Sequence, residues 1–273
     1  MILPLWFKVL MVIFLFFLGA SVYSFLNVVI FRVPRGEEFV KTRSHCPGCG
    51  KLLTPLELVP VVSYVCLGGK CKKCGSRIGI RDVLIEVFGG LSAIASFWIF
   101  CQKPVDSLAQ VAFGDFYARF LAGLTAFAFI GALTVITYIQ NDMGVVKAGT
   151  LIALGIIALV GIFTMPEFEI MDRVIGAFSL SIVVAILALI FKNAVPMGLT
   201  GMMAIGGFFL GWSKLLFVAA PVTLAVAILE WLLLVILGKK PLGKHYRIVF
   251  ALSVGLLVAI LFGDLILAAC GLA

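Results

Sequence analysis

Cys46-Pro47-Gly48-Cys49 and Cys71-Lys72-Lys73-Cys74 are two Cys-x-x-Cys pairs, and 21 residues separate them. This spacing is typical of two knuckles that fold back on each other and place four thiolates around one Zn²⁺. Gly50 and Gly75 follow the pairs, where the chain has to turn tightly without a Cβ in the way. Two disulfides or a redox-active pair are the alternatives. The compartment decides between them, because disulfides need an oxidising environment.

The sequence on either side of this cluster is strongly apolar. Of 273 residues, 63% are hydrophobic and only 12% are charged, and the mean hydropathy of +1.23 excludes an ordinary soluble protein. Windows of about 20 apolar residues predict an all-α polytopic membrane protein with about eight transmembrane helices. The first apolar run has no small-residue cleavage pattern, so we interpret it as a retained span. The predicted spans are 5–31, 84–101, 116–139, 149–165, 173–191, 198–211, 214–237 and 248–270.

These spans divide the chain into a first transmembrane helix (1–33), a small zinc-knuckle module (34–83) and a transmembrane bundle (84–273). Ten Lys and Arg residues lie from Arg32 to Arg81, so the positive-inside rule places the module in the cytoplasm. Carried through the other spans, this orientation puts 16 of the 21 Lys and Arg residues on the cytoplasmic side. A reducing cytoplasm favours metal-bound thiolates over disulfides, and zinc binding would be coupled to folding of so small a module. The net charge of +8 then reflects contact with the lipid bilayer, and nucleic-acid binding is not expected.

Several ordered motifs resemble the N-terminal half of the prepilin leader peptidase/N-methyltransferase family. They are Ser24-Phe25-Leu26-Asn27-Val28-Val29-Ile30-Phe31-Arg32-Val33-Pro34-Arg35-Gly36, Ser44-His45-Cys46-Pro47-Gly48-Cys49, Val59-Pro60-Val61-Val62-Ser63-Tyr64, Cys71-Lys72-Lys73-Cys74-Gly75, Arg81 and Glu86. The second half is similar to the same family at Asp172-Arg173-Val174-Ile175-Gly176-Ala177, Gly207-Phe208-Phe209-Leu210-Gly211-Trp212 and Phe262-Gly263-Asp264. The resemblance therefore extends over essentially the whole chain.

This resemblance implies a multi-pass enzyme of the bacterial inner membrane that serves type IV pilus and type II secretion systems. Such an enzyme removes the basic leader from pilins and pseudopilins at the cytoplasmic face, and it methylates the new N-terminal amine with S-adenosylmethionine. The implied partner is the leader and transmembrane helix of a pilin or pseudopilin. The implied peptidase chemistry is aspartic, with two carboxylates from different helices sharing one water.

Both family aspartate positions hold other residues in this chain. Aligned from Thr137-Tyr138-Ile139, Gln140 occupies the first position, and Lys147-Ala148 replace the Pro-Asp that usually ends the motif. Counting back from Gly211-Trp212, Leu199 occupies the second position and Gly201 that of a lysine. Glutamine and leucine cannot take or give the proton that amide hydrolysis needs. The sequence therefore predicts a pseudoenzyme with respect to peptidase activity, and it leaves open which residues, if any, are catalytic.

Two other hypotheses about the function remain. Asp142, two residues beyond Gln140, and Glu230, inside an apolar helix, could rebuild a two-acid site in an active peptidase. Alternatively, the protein is a non-enzymatic membrane scaffold or assembly factor that holds a partner helix.

For four residues in or directly after the module, we make individual predictions or note a difference from the family pattern. Glu86 is expected either near a methyl-transfer site or in an ion pair with Arg81. Glu57, Gly68 and Asp82 stand where the family usually has an aspartate, an arginine and an aromatic residue.

Overall fold

The structure is a computed structural model that describes residues 5–38, 44–101, 113–143, 148–164, 169–190, 197–236 and 246–271. The described residues are helical apart from turns and two isolated β-bridges in the cysteine module. The chain forms two compact units. The first contains α1, the cysteine module and α3 as far as Trp98, and the second contains α4 to α10.

In the first unit, α1 (Leu5–Arg32) and α3 (Ile80–Cys101) enclose the module in sequence. The module contains 3-10 turns at Val33–Arg35 and Pro55–Leu58 and the short helix α2 (Val62–Cys66).

The second unit consists of α4 (Phe113–Met143), α5 (Ala148–Thr164), α6 (Ile170–Ile190), α7 (Met197–Leu210), α8 (Trp212–Lys214), α9 (Ala220–Ile236) and α10 (Tyr246–Ala269). A π-helical turn, Leu215–Ala219, joins α8 to α9. Pro221 follows this turn and has no N–H to donate to the preceding turn, which the wider π geometry accommodates.

The predicted multi-pass architecture is confirmed, and each predicted span coincides with described helix. Among the described residues, six helical stretches are long and apolar enough to cross a membrane, and α5 and α7 are shorter apolar helices. The largest differences are at helix ends. α3 begins at Ile80 rather than at residue 84, and α4 runs from Phe113 to Met143 rather than over 116–139. A hydropathy window excludes polar residues at the membrane surface, although backbone hydrogen bonding continues the helix through them.

Helices α1 and α3 pack closely in the first unit. Gly19 lies against the backbone of Gly89, where a Cβ on either helix would clash. The buried Tyr23 packs edge-on against Phe88, with ring centroids 5.8 Å apart. Nearer the module, Asn27 Nδ2 donates a hydrogen bond of 3.0 Å to Asp82 Oδ1. Small residues and one polar pair thus hold the two helices together.

In the second unit, α5 and α7 run parallel with regular spacing. A Cβ at Gly201 would lie 3.2 Å from Leu151 Cδ1, and a Cβ at Gly155 would lie 3.8 Å from Ile205 Cδ1. Each contact joins residues that are 50 positions apart in sequence. The α4–α5 pair is antiparallel and is joined by a 3.1 Å hydrogen bond between the hydroxyls of Thr125 and Thr164. Helix α5 therefore packs between α4 and α7.

Candidate functional site

The four cysteines of the Cys-x-x-Cys pairs form one cluster. The Sγ atoms of Cys46, Cys49, Cys71 and Cys74 all lie within 4.8 Å of one another. Cys46 Sγ and Cys74 Sγ are 3.8 Å apart, which is too long for a disulfide. Tetrahedral Zn–S bonds of about 2.3 Å place the sulfur atoms about 3.8 Å apart. Both the donor set and the spacing therefore fit a structural zinc ion.

The two knuckles have the same backbone geometry. The N–H of Cys46 donates to Lys51 O over 2.9 Å, and the N–H of Cys71 donates to Ser76 O over 2.8 Å. The glycines that follow the pairs, Gly50 and Gly75, have φ angles of 67° and 69°, a left-handed conformation that glycine adopts without steric cost. An antiparallel β-bridge closes each knuckle, and His45, in the first bridge, is not part of the thiol cluster.

Hydrogen bonds shift the pKa values of three of the thiols in different directions. Ser76 Oγ lies 3.4 Å from Cys46 Sγ and 3.1 Å from Cys74 Sγ. This hydroxyl is the main cause that lowers the pKa of Cys46 to about 6, and it also lowers the pKa of Cys74. The Lys51 backbone N–H lowers the pKa of Cys49, but desolvation and hydrogen bonds with the other thiols outweigh it and raise that pKa to about 11. Ser76 therefore favours the thiolate form that a metal requires.

Glu57 fixes the turn that follows the first knuckle. Its Oε1 atom accepts a 2.8 Å hydrogen bond from Lys51 Nζ, and its Oε2 atom accepts bonds from the N–H and the hydroxyl of Thr54. The Lys51 hydrogen bond is the largest cause that lowers the pKa of Glu57 to about 2. Glu57 thus makes a capping box with Thr54 and an ion pair with Lys51 together.

Glu86 binds the backbone of the module. Its Oε2 atom accepts a 2.8 Å hydrogen bond from the N–H of Val61, and its ion pair with Arg81 stays a prediction. Val61 has a φ of 62°, which is strained for a β-branched residue. The Glu86 carboxylate therefore holds a turn that would not otherwise be favoured. The sequence showed the motif around Val61, but it gave no signal of this contact or of the Asn27–Asp82 pair.

A cavity of about 270 Å³ lies within the first unit. Ser24 and Asn27 of α1, Asp82 and Glu86 of α3, and Tyr64 of the module line it, together with residues of both knuckles. Lys72 and Arg77 of the second knuckle line the same cavity, so its wall contains basic side chains as well as these two carboxylates.

Gln140 and Leu199, which we predict to occupy the family aspartate positions, both lie in buried parts of the second unit. Gln140, on α4, is 1% exposed, and Leu199, on α7, is 4% exposed. Their depths can be compared along α5. Gln140 is fifteen residues beyond Thr125, and Gly149 is fifteen residues before Thr164, so the antiparallel pair places Gln140 level with Gly149. The 50-residue offset between α5 and α7 places Leu199 level with the same glycine.

The structure gives less information about the two alternative acids, Asp142 and Glu230. Asp142 lies in the last turn of α4, and its side chain is outside the described residues. Glu230 lies in α9 and is partly buried. α9 packs mainly against α10, whereas α4 packs against both α5 and α10. A pairing of Asp142 with Glu230 therefore stays a prediction.

Comparison with known proteins covers both units. A family model described as "Bacterial Peptidase A24 N-terminal domain" matches residues 17–100. A protein of Neisseria gonorrhoeae named "Prepilin leader peptidase/N-methyltransferase" is 30% identical over 267 residues, which covers 87% of this chain and 85% of that protein. A protein of the same name from Bacillus subtilis is 27% identical over 255 residues, covering 93% of this chain and 95% of the relative.

Some relatives are more similar over a shorter stretch. A protein from Myxococcus xanthus with the same name is 40% identical over 121 residues, which covers 41% of this chain and only 36% of the relative's length. No solved structure matches the chain. The similarity in sequence therefore includes the cysteine module, and in two of these relatives it continues through most of the bundle.

Proposed function

Because this chain belongs to the prepilin leader peptidase/N-methyltransferase family, we propose that it binds pilin-like leader helices at the membrane surface without cleaving them. The observation that carries the proposal is the identity of Gln140 and Leu199, which are buried at the family aspartate positions. Neither side chain can activate water or protonate a leaving amine. Their equal depth along α5 supports the alignment, since two catalytic acids have to face each other at one level.

The orientation of the protein is part of the proposal. The excess of Lys and Arg between Arg32 and Arg81 supports a cytoplasmic position for residues 34–83 and an inner-membrane location for the bundle 84–273. A reducing cytoplasm keeps the four thiols available for metal. Cys46, Cys49, Cys71 and Cys74 would hold a structural zinc ion there, which supplies the folding energy that so small a module lacks.

We further propose that the cavity of the first unit is the site of methyl transfer. S-adenosylmethionine supplies a methyl group to an amine when it is bound, and its sulfonium and amine are cationic. Asp82 and Glu86 fit such a cofactor chemically, because their carboxylates line the cavity and could face its cationic groups. Each is oriented by one neighbour, Asn27 or Val61.

An assay of leader removal distinguishes a pseudoenzyme from an active peptidase with relocated acids. The chain is co-expressed with a pilin-type substrate, and processing is followed by a gel shift, with the Neisseria gonorrhoeae relative as positive control. We expect unprocessed substrate that co-purifies with the chain. Processing that is abolished by Asp142→Asn or Glu230→Gln would instead identify an active peptidase with relocated acids, and the pseudoenzyme reading would be wrong.

Binding of the methyl donor distinguishes a methyltransferase from a non-enzymatic scaffold. Calorimetry with S-adenosylmethionine is performed on the wild type and on Asp82→Asn, which removes one charge but keeps the shape of the side chain. Binding that weakens in the variant supports a methyltransferase. Absence of binding and of methyl transfer, with pilin binding intact, favours a membrane scaffold or assembly factor.

A further inference from the structure

Residues 55–66 of the cysteine module, here termed the interface segment, present an unusually apolar surface. Leu56 is 83% exposed and Val65 is 71% exposed, and Leu58 and Val62 are 44% and 40% exposed. The segment contains the 3-10 turn Pro55–Leu58 and the helix α2, both joined to the knuckles. A group of exposed aliphatic side chains in so small a module indicates a surface that another apolar phase covers.

The position of the interface segment along α3 indicates which apolar medium covers its exposed side chains. Val61 donates its N–H to Glu86 Oε2, and Glu86 is six residues beyond Ile80, where α3 begins. At the helical rise this is about 9 Å along the helix. The segment therefore packs beside α3 rather than beyond its end.

Helix α1 gives the same result independently. Ser63 and Tyr64 of the interface segment line the cavity of the first unit together with Ser24 of α1. Ser24 is eight residues before Arg32, the last residue of α1, which corresponds to about 12 Å along the helix. Two helix ends thus place the segment at a similar depth.

That depth lies at the edge of the hydrocarbon layer. A bilayer core of about 30 Å requires about 20 helical residues, and α3 ends at Cys101. Counting back about 20 residues from Cys101 reaches Asp82, so Glu86 and its partner Val61 lie level with the outermost part of the acyl chains. Arg81 is exposed and lies one residue before Asp82, so it is then level with the headgroups.

The backbone of the segment is suited to an apolar surrounding, in which unpaired N–H groups are costly. Val61 donates to Glu86, Ser63 donates to Val59 O over 3.0 Å, and Val65 donates to Val61 O over 3.1 Å. Pro55 and Pro60 have no N–H to satisfy.

From these observations we propose that the interface segment lies in the boundary between lipid headgroups and acyl chains, with Leu56, Val62 and Val65 immersed among the chains. The occupant of this surface is the lipid bilayer itself, since the segment is tied to two membrane-spanning helices at the depth where lipid is present. The cysteine module is then a membrane-embedded platform, and a substrate helix in the bilayer could reach the cavity sideways. The proposal does not depend on whether the chain cleaves, methylates or only binds pilins.

Lipid photolabelling tests this placement. The full chain is reconstituted in phosphatidylcholine vesicles that contain a phospholipid with a diazirine on one acyl chain, and tandem mass spectrometry locates the label. We expect label on Leu56, Val62 and Val65 at a level comparable with that on Leu91, an exposed residue of α3. Lys72 and Lys73 of the second knuckle should remain unlabelled.

Charge substitutions make the test specific. Leu56→Glu combined with Val65→Glu should reduce label on the segment about tenfold, because hydrocarbon excludes carboxylates, while label on Leu91 and bound zinc stay unchanged. Lys72→Glu is the matched control and should leave the labelling unaltered. Absence of label on the wild-type segment, with Leu91 labelled, would overturn the proposal.

Discussion

At the scale of single residues, the cysteine cluster is the feature that sequence reasoning identified most completely. Cys-x-x-Cys spacing selects the four ligands because two knuckles of fixed length bring their sulfur atoms to one point. Ser76 could not be identified in this way. Its hydroxyl reaches Cys46 only because the two knuckles face each other, a contact across 30 positions that no local pattern encodes.

Zinc binding should follow the cluster and not the total number of cysteines. Cys46→Ser removes one ligand, so we expect one zinc per chain in the wild type by elemental analysis and a loss of most of it in the variant. Cys66→Ser is the matched control, since Cys66 is exposed and outside the cluster. Metal-free wild-type protein with an intact module would contradict the zinc assignment.

Glu57 should make the stability of the module depend on pH. Its pKa is lowered to about 2 from 4.5, chiefly by the hydrogen bond from Lys51, so the charged form is favoured in the folded state. Its stabilising contribution is complete above about pH 4.5 and is lost as the pH falls towards 2. We expect Glu57→Gln to lower the melting temperature at pH 7, with the difference from the wild type narrowing below pH 4.5.

Acid also releases zinc, so zinc content is measured at each pH, and the two proteins are compared only where both retain the metal. Glu37→Gln serves as a control, because Glu37 is exposed and makes no ion pair in the described residues. A difference between wild type and Glu57→Gln that persists unchanged at pH 3 would show that the ion pair is not its source.

At the scale of elements, long apolar helices are predictable because their length matches the bilayer, and every predicted span coincides with helix. The interface segment was not predictable as structure. α2 has five residues, too few for a periodic signal, and Val61 adopts a positive φ that a β-branched residue disfavours. The Glu86 hydrogen bond that supports this conformation comes from another helix.

The contact between α6 and α7 should be sensitive to added volume. Gly176 and Gly207 lie so close that a Cβ on either would clash with backbone of the other helix. We expect Gly176→Val to destabilise the bundle by about 1–3 kcal/mol, the usual cost of overpacking. Gly149→Val is the matched control, because no atom lies within 4 Å of a Cβ there. Thermal unfolding in detergent measures both, and equal effects would contradict close packing at Gly176.

At the scale of the whole molecule, the second unit places Gln140 and Leu199, which we predict to occupy the two family aspartate positions, at one level along α5. Gln140 and Leu199 are 59 positions apart in sequence. Only the packing of α5 between their helices places them level. Sequence comparison could assign each position to a motif, but it could not show a common depth. Two basic side chains are also buried in this unit, where Arg173 donates to Gly161 O and Lys214 pairs with Asp264.

Restoring both aspartates tests this arrangement directly. Gln140→Asp combined with Leu199→Asp should allow cleavage of a co-expressed pilin-type substrate that the wild type leaves intact, because two carboxylates at one level can share a proton and activate water. Either substitution alone should be inactive, since a single acid cannot act as both base and acid. The Gln140→Asn, Leu199→Asn double variant is the isosteric control for burial of polar groups. Cleavage by one single variant, or a folded double Asp variant that remains inactive, would show that these positions do not form the catalytic pair.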